Sequence, residues 1–356
     1  MNHSGGSRPS TAAVVLALAT VYIVWGSTYL AIAVVIETMP PLLSAGVRFG
    51  VAGLVMLTAL VAHARWRRSS APIERPTRAH WRSAFIVGGL LLLGGNGMVV
   101  VAEQYIPSGI AAVLVATVPI WLAVFDAGLT RRRPSGLVIG GLIAGIVGVI
   151  VLLVPVEGLD GLDPVGVGFV VVAAISWASG SLYARRAPLP RSGLLGTGME
   201  MLAGGLILVL VGSLIGELGR TDFGAFSLRS VLALSYLIVF GSLVAFTAYT
   251  WLLAHVPVST VGTYAYVNPI VAVVLGAIVL SEPITLRTVI AAVIIIGAVV
   301  AMVTGRPRAT EEPGPGPEAA TLEPDRVDGI DPAADRSHEE VSDDRRRHAP
   351  RAPGVE

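Results

Sequence analysis

The chain has 356 residues, 54% hydrophobic and only 14% charged, with a mean hydropathy of +0.75. Soluble domains carry about 25% charge, so most of this surface is not built to face water, and the lack of any cysteine excludes disulfide frameworks, thiol chemistry and sulfur-ligated metals. The net charge of +1 conceals a division: from Thr304 onward there are 13 acids and 8 Arg, before it 11 acids and 17 Arg, and no Lys occurs anywhere.

About 20 apolar residues at 1.5 Å each cross a ~30 Å hydrocarbon layer. Ten runs of that kind follow one another. A short segment, 1–11, precedes the first run at 12–35, which carries Tyr22, Trp25 and Tyr29 on one helical face. Pro40 and Pro41 open the second, 41–62, with Arg48 inside it. The third, 82–102, contains Asn96 and ends before Glu103 and Gln104. The fourth, 107–127, starts on Pro107 and holds Pro119. Arg131, Arg132, Arg133 and Pro134 break the chain before the fifth, 136–154. Asp160, Asp163 and Pro164 separate it from the sixth, 165–184, where Ser176, Gly180 and Tyr183 share a face beside Trp177. The seventh, 193–216, carries Glu200; the eighth is 229–253. The ninth, 258–280, follows Pro257 and holds Tyr264, Asn268 and Pro269. Ser281, Glu282 and Pro283 then lead to the tenth, 285–303. The segment 304–356, rich in Pro, Gly and charge, buries too little apolar surface to offset chain entropy and is predicted to be a disordered cytoplasmic tail.

Arginine sets the orientation. With the N-terminus inside, inner loops hold Arg65, Arg67, Arg68, Arg75, Arg78, Arg82, Arg131 to Arg133, Arg185, Arg186 and Arg191, against Arg220, Arg229 and Arg287 outside. Both termini are then cytoplasmic.

The sequence repeats itself. Pro107 and Pro119 recur 150 residues on as Pro257 and Pro269; Trp25, Ser27 and Leu30 recur 152 residues on as Trp177, Ser179 and Leu182; Gly53 matches Gly205. Five helices is an odd number, so the second half enters the membrane inverted. The expected fold is therefore an all-α integral membrane protein of ten transmembrane helices in a 5+5 inverted-topology repeat. Such repeats enclose a midplane site in many secondary transporters.

The segments Trp25-Gly26-Ser27-Thr28-Tyr29-Leu30, Gly46-Val47-Arg48-Phe49, Gly95-Asn96-Gly97, Ala102-Glu103-Gln104, Thr117-Val118-Pro119 and Thr263-Tyr264-Ala265-Tyr266-Val267-Asn268-Pro269 resemble the EamA family of the drug/metabolite transporter superfamily, and within it the YedA-like exporters. The resemblance spans both repeats, 12–154 and 155–303. It implies an inner-membrane exporter whose helices 1, 3, 4, 6, 8 and 9 line a central cavity. Glu200 departs from it, because similar sequences carry a neutral polar residue there.

Polar groups at membrane depth need partners. Trp25, Tyr29, Asn96, Gln104, Trp177, Tyr264 and Asn268 are the expected cavity residues. Arg48 and Glu200 are repeat-equivalent intramembrane charges that inversion puts at different depths. Arg48 is expected on backbone carbonyls or an outer-side acid, with substrate contact as the alternative. Glu200 is expected as a structural group or a proton-coupling one. Pro119 and Pro269 are hinge candidates, each removing a helical donor. No phosphate-loop motif or metal spacing occurs among the six His, so no cofactor or metal is expected. The partners expected are a small-molecule substrate, the lipid bilayer and protons as coupling ion, and no nucleic acid. The reading is a secondary transporter rather than an enzyme; the alternatives are a membrane enzyme or lipid-handling protein marked by clustered ligands at one face, and a non-transporting receptor.

Overall fold

The computed structural model describes residues 9–66, 74–106, 111, 114–131, 133–153, 163–280 and 285–305. Arg67, Arg68, Pro107, Arg132, Asp160, Glu282, Pro283 and the tail from Arg306 lie outside the described residues. Among those described, every regular element is helical. The main helices are α1 (Thr11–Ile36), α2 (Pro41–Trp66), α3 (Arg78–Ala102), α4 (Val118–Thr130), α5 (Gly136–Leu153), α6 (Pro164–Ala184), α7 (Gly193–Leu214), α8 (Leu228–His255), α9 (Tyr264–Leu280) and α10 (Leu286–Thr304). Six of them, α1, α2, α3, α6, α7 and α8, are long and apolar enough to cross a membrane, and shorter apolar helices accompany them. Large aliphatic side chains point outward along most of them, among them Leu16, Ile23, Leu206, Leu210, Ile143 and Val293. That is the surface a lipid-facing bundle presents.

Helix starts follow local chemistry. Ser10, Thr77, Asp163, Ser192 and Ser227 each accept a hydrogen bond from a first-turn amide of the helix they precede, filling donors that a helix end otherwise leaves orphaned. For α2 the cap comes from far away in sequence. The carboxylate of Glu217, on the short helix Glu217–Arg220, accepts from Leu42 N at 3.1 Å and Leu43 N at 2.9 Å. Glu217→Ala is expected to lower stability by about 1–3 kcal/mol, since two buried donors lose a charged acceptor; unfolding in detergent with increasing denaturant measures it.

Contacts between helix ends fix the directions. At one end, called lower because α1 begins there, Arg185 donates to the Val256 carbonyl (2.8 Å), Arg186 pairs with Asp126 (3.8 Å) and Ser135 donates to the Gly305 carbonyl (3.0 Å). At the upper end Thr38 donates to Ser230 (2.8 Å), Arg229 pairs with Glu37 (3.5 Å), and Arg287 donates to the Val151 carbonyl. α1 and α5 therefore run from the lower to the upper end, and α4, α6, α8 and α10 run the other way.

The helices of the first five pack mainly on those of the second five. α2 lies antiparallel on α7, and glycines permit the approach. A Cβ at Gly53 would meet the amide of Leu202 and stand 2.8 Å from the Gly198 carbonyl oxygen; one at Gly205 would meet the amide of Gly50 and stand 2.9 Å from the Gly46 carbonyl oxygen. Shifted by the 152-residue offset of the sequence repeat, the first pair of contacts becomes the second. The remaining pairings follow the same exchange: α1 on α8 matches α6 on α3, and α1 on α9 matches α6 on α4.

Two features depart from the sequence expectation. α3 and α8 each contain a π-helical stretch, Gly89–Gly97 and Leu237–Phe246, which no hydrophobic period announces. Pro119 does not kink a continuous helix. α4 begins at Val118 after a turn at Ala116 and Thr117, so Pro119 occupies the first turn, where its missing donor is harmless. Pro269 does lie inside α9, which is separated by Thr263 from the short helix Val258–Gly262.

Candidate functional site

A central cavity sits where α1, α2, α3, α4, α6, α8 and α9 converge, with Val118 the contribution of α4. Trp25, Tyr29, Asn96, Trp177, Tyr264 and Asn268 all line it. The two π-helical stretches meet there, contributing Gly95 and Asn96 from α3 and Gly241 and Phe246 from α8. π segments widen a helix locally and occur often at functional sites.

The lower wall of the cavity is an aromatic layer. Trp25 packs edge-on against Trp177 (5.4 Å between centroids) and Tyr264 (5.0 Å), and tilted on Tyr249 (5.0 Å). Tyr249 also reaches Trp177 (5.3 Å) and Tyr264 (5.7 Å). Hydrogen bonds lock the rings: Trp25 Nε1 donates to the Gly241 carbonyl (3.2 Å), and Trp177 Nε1 donates to the Tyr249 hydroxyl (2.7 Å), which also bonds Ser181 (2.7 Å). One turn lower on α1, the hydroxyls of Tyr22 and Thr263 lie 2.5 Å apart. This layer lies on the lower side of the cavity.

Above it the wall is polar on one side. Arg48, 3% exposed, donates from Nε to Ser242 Oγ at 2.9 Å and lies over the Phe49 ring at 4.5 Å. Among the described residues its hydrogen-bond partner is thus a hydroxyl on α8, not a carbonyl or an upper-end acid, and Arg48 and Phe49 make α2 a wall of the cavity beside α1, α3, α4, α6, α8 and α9. Gly241 opens the space for it, because a Cβ there would stand 2.9 Å from Arg48 Nη2. The Asn268 amide, oriented to satisfy its neighbours, donates to the carbonyls of Tyr264 (3.0 Å) and Tyr22 (3.2 Å). Asn96 Oδ1 is buried without a hydrogen-bond partner among the described residues. An acceptor left open beside a cavity is a group that a bound molecule can satisfy.

Gln104 is exposed and does not line this cavity. Its neighbour Glu103 turns inward: both carboxyl oxygens are buried and unpartnered among the described residues, near enough to Tyr29 to interact electrostatically. Glu200 lines a different, lower cavity between α6, α7 and α8. Sequence reading missed Tyr249 and Phe246, because neither has a repeat partner in the first half. The Gly94 to Gly97 run and the Gly241-Ser242 pair were the available signal for the two π stretches.

The sequence pattern of the EamA-like transporter family matches twice, over residues 12–154 and 164–304. The chain is 40% identical over 293 residues to the inner membrane transporter YedA of Escherichia coli (strain K12), itself uncharacterized, covering 82% of this chain and 90% of that one. It is 25% identical to the transporter YvbV of Bacillus subtilis (strain 168), covering 80% and 89%. A crystal structure of a protein with 21% identity matches the fold with a TM-score of 0.65 over 83% of this chain and 96% of that one.

Proposed function

This chain belongs to the EamA-like transporter family, and we propose that it is a secondary transporter exporting small organic metabolites or drugs by alternating access, with protons as the coupling ion. Ten spanning helices in two inverted halves supply the means. The two successive family matches, the 152-residue offset and the exchange of α2–α7 contacts under that offset support this arrangement. Two related halves have two related packings, one open to each side.

The arginine distribution supports placing the lower end in the cytoplasm. The central cavity then lies in the outer half with the aromatic layer on its cytoplasmic side, which supports reading it as the outward-facing arrangement of an exporter at release. The single observation that carries the reading is that Trp25 and Trp177, equivalent residues of the two repeats, meet at 5.4 Å under a cavity with polar groups at membrane depth. Aromatic faces below and Arg48, Asn96 and Asn268 around them suit a small amphipathic solute with a hydrogen-bonding group.

Two experiments test this. The chain has no cysteine, so Asn96→Cys labels cleanly. In intact cells a membrane-impermeant maleimide is expected to reach it from outside, and Tyr249→Cys, below the layer's surface, is expected to stay unreacted; equal reactivity at both would contradict the closed layer. Expression in a transporter-deficient host across a library of metabolites and toxic compounds should raise tolerance to a defined set. A protonophore should abolish that tolerance, and tolerance indifferent to it would remove the proposed coupling.

A further inference from the structure

The cavity between α6, α7 and α8 shares no lining residue with the central one. α8 is the common wall: Phe246 faces the central cavity, and Thr247 lines the lower one. Glu200 stands seven residues, about two turns, inside α7 from Gly193. It is 2% exposed, and its Oε2 has no hydrogen-bond partner among the described residues; neither has Thr247 Oγ1. Thr250 Oγ1 donates to the Thr247 carbonyl at 3.1 Å and lies 2.8 Å from Thr197 Oγ1. Thr250 has then used its proton, Thr197 donates to Thr250, and Thr197 keeps only acceptor capacity.

Glu200, Thr197 and Thr247 thus line one cavity, each with acceptor capacity unfilled among the described residues. The other charged or titratable groups on its wall are Arg185 and His255, both at helix ends. Arg185 is held by the Val256 carbonyl at 2.8 Å, and His255 Nδ1 lies 2.8 Å from the Trp251 carbonyl oxygen. Neither has Glu200 as its hydrogen-bond partner.

We propose that this cavity is a second ligand site, which binds the ammonium group of a primary amine on Glu200 with the hydroxyls of Thr197 and Thr247. An ammonium offers three donors and no acceptor, the complement of the oxygens present. A carboxylate at this depth needs a counter-charge, and the ligand supplies it. The site stands on its own residues and does not depend on the central cavity being a transport route.

The test uses the purified full-length chain in detergent at fixed pH and ionic strength. Butylammonium chloride is titrated against thermal midpoint and against tryptophan fluorescence, to which Trp251 in the cavity wall contributes. Tetramethylammonium chloride, of equal charge but without N–H donors, is the control. Butylammonium is expected to raise the midpoint saturably, with an apparent affinity about tenfold weaker in Glu200→Gln, the effect of losing one charge-assisted hydrogen bond. Thr247→Val, which keeps the shape and removes the hydroxyl, is expected to weaken it as well and serves as the comparison if Glu200→Gln does not fold. No shift, an equal shift with tetramethylammonium, or a shift unchanged in both variants overturns the proposal. A shift lost in Asn96→Ala but kept in Glu200→Gln also overturns it, by putting the amine in the central cavity, and leaves the transporter reading intact.

Discussion

Leucine at Gly53 or at Gly205 is expected to stop the bundle from closing, whereas alanine at Gly50, one turn from Gly53 on α2, is expected to be accepted. The distinction is geometric. A Cβ at Gly53 or Gly205 runs into backbone of the opposing helix, the amides of Leu202 and Gly50 respectively, and backbone cannot rotate aside as a side chain does. A Cβ at Gly50 has no atom within 4 Å. Overpacking a core costs about 1–3 kcal/mol when side chains can yield, and here they cannot. Lipid offers no hydrophobic force to hold α2 and α7 together once their close packing is lost. Both leucine variants should therefore lose the monodisperse peak in size-exclusion chromatography, and to a similar degree, because the contacts they break are repeat equivalents. Gly50→Ala should elute like the parent. A large asymmetry between Gly53→Leu and Gly205→Leu would contradict the exchange of contacts between the halves.

Arg48→Gln is expected to separate folding from function. A guanidinium at membrane depth costs roughly 2.5–3.5 kcal/mol on insertion scales, and what this one receives in return is Ser242 and the face of Phe49. Glutamine keeps a donor for Ser242 and removes the charge, so unfolding in detergent should show stability unchanged or higher. Transport of the compounds identified by the tolerance screen should fall by about tenfold or more, as loss of a charged contact to a bound solute predicts. Stability falling together with transport would instead make Arg48 a structural group.

Much of the fold was legible because the bilayer imposes one rule, a long apolar run bounded by polar breaks, and the chain obeys it. The predicted runs 41–62, 136–154 and 193–216 appear as helices Pro41–Trp66, Gly136–Leu153 and Gly193–Leu214. The cavity residues that repeat arithmetic or motif position singled out, Trp25, Trp177, Asn96 and Asn268, do converge on one space. What stayed hidden depends on angular detail that periodicity does not encode. Glu103 and Gln104 are adjacent, and only the geometry at the end of α3 decides which turns inward. A π stretch rotates every later residue of its helix, so Tyr249 could not be assigned to the aromatic layer by counting turns through Leu237–Phe246. Glu217 capping α2 joins residues 175 and 174 positions apart, a contact that no local signal announces.

In the proposed mechanism two copies of one five-helix unit face opposite ways in the membrane. Single cysteines at Arg133, between α4 and α5, and at Thr285, just before α10, occupy corresponding loops of the two copies. Labelling of right-side-out and inside-out vesicles with an impermeant maleimide is predicted to reach Arg133→Cys only from the cytoplasmic side and Thr285→Cys only from the opposite side. Labelling of both from the same side would contradict the inverted arrangement and the transport mechanism that depends on it.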